Sequence, residues 1–173
     1  MAAVGRDGEE ELLLGEWACL GILYQGPTHG FAIAARLKPT GDVGRVWSLS
    51  RPLTYRSLAQ LGARDLVRAV GEERGIAGGN RTILTATRQG RARLRRWLAT
   101  PVPHLRDLRS ELLLKLVLAE QCGIDMAGML ARQRDVIDAI SAALAAGPDD
   151  VVTRWRRESS EAARRFVDAV RPP

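Results

Sequence analysis

Residues 50 to 61 read Ser50-Arg51-Pro52-Leu53-Thr54-Tyr55-Arg56-Ser57-Leu58-Ala59-Gln60-Leu61, and the fold is read outward from them. Ser50 is an N-cap residue, and Pro52 stands in the first turn, where a missing N–H costs nothing. The spacing predicts a helix with Leu53, Ser57, Leu58 and Leu61 toward a core. Pro52, Tyr55, Arg56 and Ala59 then fall on the wet side. Downstream, Leu66-Val67-Arg68-Ala69-Val70 and Arg81-Thr82-Ile83-Leu84-Thr85 flank the glycine-rich Gly75 to Asn80, the pattern of a β-hairpin with a flexible tip.

Upstream, Leu13, Trp17, Leu20 and Tyr24 recur at helical spacing, and Gly26-Pro27 stops that helix. Thr28 is expected to cap a second helix to Leu37, with Phe31, Ile33, Ala34 and Leu37 as its apolar face. Trp47-Ser48-Leu49 is expected as a short strand. After the hairpin, a fourth helix is expected from a Thr87 cap to Ala99, with Leu94, Trp97 and Leu98 inward and Arg88, Arg91, Arg93, Arg95 and Arg96 in water. Three helices followed by a hairpin is the order of a winged helix-turn-helix.

Pro101-Val102-Pro103 breaks the chain, and everything beyond reads as helix. Leu105, Leu108, Leu112 and Leu116 form one stripe, beside a favourably oriented Glu111–Lys115 pair. Met126, Leu130, Gln133, Ile137, Ile140 and Leu144 make a heptad-like seam containing a polar residue. Past Gly147-Pro148-Asp149-Asp150, Val152, Trp155, Ser159, Ala162, Phe166 and Ala169 repeat the spacing, so an antiparallel helical hairpin is expected. Its apolar surface exceeds what one hairpin hides, which implies a second copy. The predicted fold class is therefore mainly α: a leader over 1–11, a winged helix-turn-helix over 12–100, and a helical dimerisation region over 104–171.

Charge supports that division. Of the 173 residues, 26 are basic and 20 acidic, a net charge of +6. Residues 12 to 99 hold 14 basic against 5 acidic residues, whereas 100 to 173 are balanced at 11 of each. An excess confined to one part of the chain suits a polyanion such as DNA. Arg outnumbers Lys 24 to 2, which a compositional bias explains, but such a bias does not explain the asymmetry. No run approaches the roughly 20 apolar residues of a membrane span, and the acidic start lacks the form of a secretory signal, so a cytoplasmic protein is expected. Cys19 and Cys122 are read as small buried hydrophobes. His29 and His104 are the only histidines, and no nucleophile, paired-carboxylate, phosphate-loop or metal-ligand pattern is present. Neither an enzyme nor a cofactor is expected.

In a helix-turn-helix the second helix of the motif enters the major groove. The expected DNA contacts are Ser50, Arg51, Thr54, Tyr55 and Arg56 from that helix and Arg74, Gly79, Asn80 and Arg81 from the hairpin. Trp17 and Trp97 are candidates for a flat apolar effector site. Leu13, Leu112, Leu116, Trp155 and Phe166 are the expected dimer contacts. A rival reading is a winged-helix protein-interaction module without specific DNA binding, which Pro52 in the recognition helix favours.

Several stretches together resemble the PadR-type transcriptional regulators. They are Leu20-Gly21-Ile22-Leu23, Gly26-Pro27-Thr28-His29-Gly30-Phe31-Ala32-Ile33, Trp47, Tyr55-Arg56-Ser57-Leu58-Ala59-Gln60-Leu61, Leu66-Val67, Leu84-Thr85-Ala86-Thr87-Arg88-Gln89-Gly90 and Trp97-Leu98. Arg106-Asp107 and Glu111-Leu112-Leu113-Leu114-Lys115-Leu116 resemble the start of that family's C-terminal helical region. The resemblance implies a bacterial, homodimeric winged-helix repressor that leaves a palindromic operator when a small aromatic or drug-like compound binds. Carried onto this chain, it implies that Tyr55 touches the DNA backbone, that Gly78 to Arg81 form the wing tip, and that Trp17 and Trp97 lie near the dimer interface.

Overall fold

The computed structural model describes residues 11–74 and 79–170. It divides into two compact units, Met1–Leu94 and Arg95–Pro173.

In the first unit, α1 (Leu14–Gln25) is followed by the two-residue strand β1 (Thr28–His29), α2 (Gly30–Arg36) and α3 (Arg51–Ala63). The hairpin β2 (Val67–Arg74) and β3 (Asn80–Ala86) comes next, and α4 (Arg88–Ala99) begins after it. The three strands form an antiparallel sheet in the order β1-β3-β2, with Thr28 opposite Leu84 and Val67 opposite Ala86. Val70 is the extra residue of a bulge between Ala69 and Gly71. From Arg68 onward β2 is exposed, so the hairpin leaves the body as a ribbon.

α1 is buried on every side from Gly15 to Leu23, as an apolar helix at the centre of a unit must be, and packs on α3 and β3. Glu16 is the one charge inside it. Its carboxylate accepts the Leu13 amide at 2.9 Å and pairs with Arg64 just past the end of α3 at 3.1 Å, which ties the start of one helix to the end of the other. Cys19 is buried as expected, and burial, reinforced by Glu16, pushes its thiol up to about 12. Gly90, in the first turn of α4, has no room for a side chain, because a Cβ there would strike the Leu66 carbonyl where the hairpin begins.

Two local expectations are corrected. Trp47–Leu49 is not a strand: residues 36–47 coil through tight turns, with Gly44 N–H donating to Arg36 and Trp47 N–H to Val43, and Leu49 N–H closes the loop onto Leu37. The third strand of the sheet is Thr28–His29 instead, and α2 is capped one residue later than expected, by the His29 ring. Ser50 and Thr87 cap α3 and α4 as read from sequence, accepting from the amides of Leu53 and Gly90.

The second unit begins with the last turns of α4. A tight turn at Leu105–Asp107 and a wide turn at Leu108–Leu112 lead into α5 (Leu113–Cys122), followed by α6 (Ala127–Ala145) and α7 (Val151–Ala169). The predicted continuous helix from Leu105 is thus two irregular turns and a shorter helix, although Leu108 and Leu112 are buried at the expected spacing. Three polar side chains take up the backbone of residues 99–102, where α4 ends with unsatisfied carbonyls. Arg132 donates to the Ala99 carbonyl at 2.8 Å and Lys115 to Thr100 at 2.6 Å. Gln133 binds both polar groups of Val102, accepting its N–H at 2.6 Å and donating to its carbonyl at 3.0 Å. Lys115 is wholly buried, lies 2.9 Å from Glu111 and 4.9 Å from the centre of the Trp97 ring, and is held below the usual lysine range by desolvation, which outweighs the carboxylate.

α6 and α7 pack on one another, and α6 buries Met129, Leu130, Gln133 and Ile137. α7 turns Thr153, Ser160 and Val167 inward, a seven-residue repeat of small side chains. Asp150 caps it, accepting the Thr153 amide at 2.7 Å, a bond that holds its carboxyl below the usual range. The polar residue in the α6 seam is thus a structural clamp. Gln133→Ala is expected to lower stability by about 2–3 kcal/mol in chemical denaturation, because both Val102 groups are left buried without partners.

Candidate nucleic-acid interface

α3 presents one exposed flank because its buried stripe is Thr54, Leu58 and Leu61, spaced i, i+4, i+7. Arg51, Pro52, Leu53, Tyr55 and Arg56 are exposed. Thr54 is the correction. It is fully buried, and its hydroxyl donates to the Ser50 carbonyl at 3.1 Å, so it faces the core where a base contact was expected. Leu53, expected in the core, is on the surface instead.

The exposed flank borders a cavity of about 780 Å³ lined by α2, α3 and β3. Phe31, 48% exposed, is among its lining residues. Phe31, expected on the apolar face of α2, lies one position, about 100°, around the helix from buried Gly30. The Arg51 and Arg81 guanidinium carbons each stand 5.3 Å from the centre of the Phe31 ring. Arg51 also lies 5.8 Å from the centre of the Tyr55 ring. The cavity therefore brings together Arg51, Tyr55, Gly79, Asn80 and Arg81 from the expected set and adds Phe31 and His29, which were not expected there.

Ser50 is occupied as a cap. Arg56 is exposed on α3 but does not line this cavity. On the ribbon, Arg74 pairs with Asn80 in the ladder, and the Asn80 side-chain amide donates to Glu72 at 2.9 Å. Gly79 lines the cavity, and Gly78 lies outside the described residues. Such a surface, with two guanidiniums over an aromatic ring beside a phenol, can take phosphate oxygens and base edges.

Of the two tryptophans read as effector contacts, Trp17 is buried within α1 and offers almost no surface, whereas Trp97, on α4, is half-buried with Lys115 over its ring. Of the expected dimer contacts, Leu13 (72%) and Trp155 (73%) are the most exposed, Phe166 is exposed and Leu116 half-buried. Leu112 is a correction: it is buried inside its own unit and has no surface left to share. Trp155 and Phe166 face a largely apolar groove of about 1040 Å³ in the second unit, with Leu105, Leu108, Ile140 and Leu144 along it. Among the described residues no cluster of three His, Cys, Asp or Glu could hold a metal ion, and no helix is long and apolar enough to cross a membrane.

No family model matches the chain, and no curated protein does. Among solved structures it is similar to Bacillus subtilis PadR in complex with operator DNA, at 17% identity over 89% of this chain and 96% of that one, with a TM-score of 0.48. It is also similar to Bacillus subtilis PadR alone, at 17% identity over 93% and 94% of the two chains, with a TM-score of 0.44.

Gly30 sets how closely α2 meets the Tyr55 ring, since a Cβ there would lie 2.7 Å from Tyr55 Cε1. Gly30→Ala is expected to swing that flexible ring outward, changing its NMR signals, while stability stays within about 1 kcal/mol of the parent. Unchanged ring signals would contradict the packing described.

Proposed function

We propose that this chain is a sequence-specific DNA-binding transcription regulator acting as a homodimer, and a repressor in its action. The observation that carries the reading is the exposed basic and aromatic surface shared by α3 and the ribbon, with Arg51 and Arg81 flanking Phe31 beside Tyr55. Arg51 and Arg56 would meet guanine edges or phosphates, and Tyr55 would give its hydroxyl to the backbone. Arg74, Gly79, Asn80 and Arg81 would follow the DNA as a wing. The charge excess of residues 12–99 supports the same partner.

A dimer is supported by the outer side of α7, where Val152, Trp155 and Phe166 stay exposed while Thr153, Ser160 and Val167 face inward. A two-fold dimer would hold its recognition helices about 34–36 Å apart and so read a palindromic operator. A small aromatic or drug-like effector would act by changing that separation, with Trp97 as the candidate contact. The acting surfaces need no cofactor, catalytic group or membrane, and the cytoplasm suits such a regulator.

Arg51→Ala and Arg56→Ala are each expected to weaken operator binding by about 1–3 kcal/mol in fluorescence anisotropy titrations. Unchanged affinity and salt dependence in both would remove α3 as the reader and favour a protein-interaction module. Trp155→Ala and Phe166→Ala are expected to shift sedimentation from dimer toward monomer. An unchanged profile would place the dimer contact elsewhere.

A further inference from the structure

His29 closes β1 and opens α2, and its two ring nitrogens have different duties. Nδ1 accepts the Ala32 amide at 3.0 Å, which puts the ring proton of the neutral imidazole on Nε2. That Nε2–H faces the Arg81 guanidinium, whose Nη1 lies 3.4 Å away. Two donors thus stand side by side, and among the described residues no acceptor is placed between them. The sheet produces the pairing: His29 is opposite Ile83, and Arg81 lies two residues further along β3 on the same side. Arg51 reaches the same Phe31 ring as Arg81. Among the described residues, none that lines the cavity carries a carboxylate. Glu73, opposite Arg81 in the ladder, stands on the outer strand and does not line it, and Glu72 accepts from Asn80.

An oxygen that accepts from Nε2–H and from the Arg81 guanidinium together would complete both groups. On a surface whose other members are Arg51 and Tyr55, the acceptor that fits is a phosphodiester oxygen. We propose that His29 and Arg81 jointly seat one backbone phosphate of duplex DNA, with Phe31 holding the Arg51 and Arg81 guanidiniums on either side of the seat. This rests on the DNA-binding reading above. His29 serves two ends at once, capping α2 with one nitrogen and binding phosphate with the other. Because a backbone phosphate carries no sequence information, the seat sets register and affinity and leaves base choice to α3.

Two substitutions separate the duties of His29. His29→Ser keeps an N-cap oxygen and removes the distal donor. His29→Gln keeps an amide N–H near the place of Nε2 and gives up the cap. The full chain is titrated against a fluorescein-labelled duplex of arbitrary sequence at several salt concentrations, with melting curves for each variant. His29→Ser is expected to bind about tenfold more weakly with an unchanged salt slope, because a neutral donor is lost. His29→Gln is expected to stay within about twofold of the parent. Arg81→Gln is expected to lower both the affinity and the magnitude of the salt slope, the latter by about 0.9, as one phosphate is no longer neutralised.

The proposal is overturned if His29→Ser binds like the parent, or if His29→Gln loses as much affinity as His29→Ser. Should His29→Gln melt early, the salt slope of Arg81→Gln decides, and an unchanged slope overturns the proposal. A parent chain that binds no duplex at low salt removes the DNA-binding reading itself, and the seat with it.

Discussion

Burial of Thr54, Leu58 and Leu61 against the interior of the first unit is the constraint on which the candidate interface depends. Those three positions fix the rotation of α3 about its axis, and the rotation decides what the helix offers to water. With Thr54 inside, Tyr55 and Arg56 lie outside, while Arg51, on the side of Thr54 but at the first residue of the helix, is exposed past the end of the stripe. α1 holds the stripe in place from beneath, and Glu16 with Arg64 locks the end of α3 to the start of α1. Phe31 and His29 then come from the neighbouring α2 and β1, and β3 brings Arg81 to the same ring.

The second unit solves a different problem. Its chain enters through a proline-bounded stretch whose carbonyls follow a helix end, and such groups cannot be buried bare. Arg132, Lys115 and Gln133 satisfy them from α5 and α6. The polar residues that look out of place in an apolar seam are therefore the reason the seam can start where it does. α7 meets α6 through small side chains, which leaves its large ones outside. Apolar surface of that size facing water is what a second copy would cover.

The helix order, the hairpin, the Ser50 and Thr87 caps and the Glu111–Lys115 pair were legible in the sequence, because each is set by neighbours within a few positions. Leu53, Ser57 and Leu61 fit helical spacing as well as Thr54, Leu58 and Leu61 do, so spacing alone does not choose between the two stripes, and packing buries Thr54 and leaves Leu53 in water. Phe31 likewise stands three residues before buried Ala34, yet is exposed. Thr28–His29 as a strand was illegible, since it depends on β3, more than fifty residues away; the His29 cap is local, but histidine is not among the residue types favoured at that position. The outward turn of Trp155 and Phe166 was legible only as an excess of apolar surface, because which side of α7 meets α6 is settled by packing.

The most direct test of the account is binding of the purified chain to the DNA upstream of its own coding sequence, at two salt concentrations and against scrambled competitor. Saturable binding by a dimer that survives the competitor at the higher salt is expected. Weak binding that disappears equally for every sequence as salt rises would contradict it, leaving only a generic attraction between a basic surface and a polyanion.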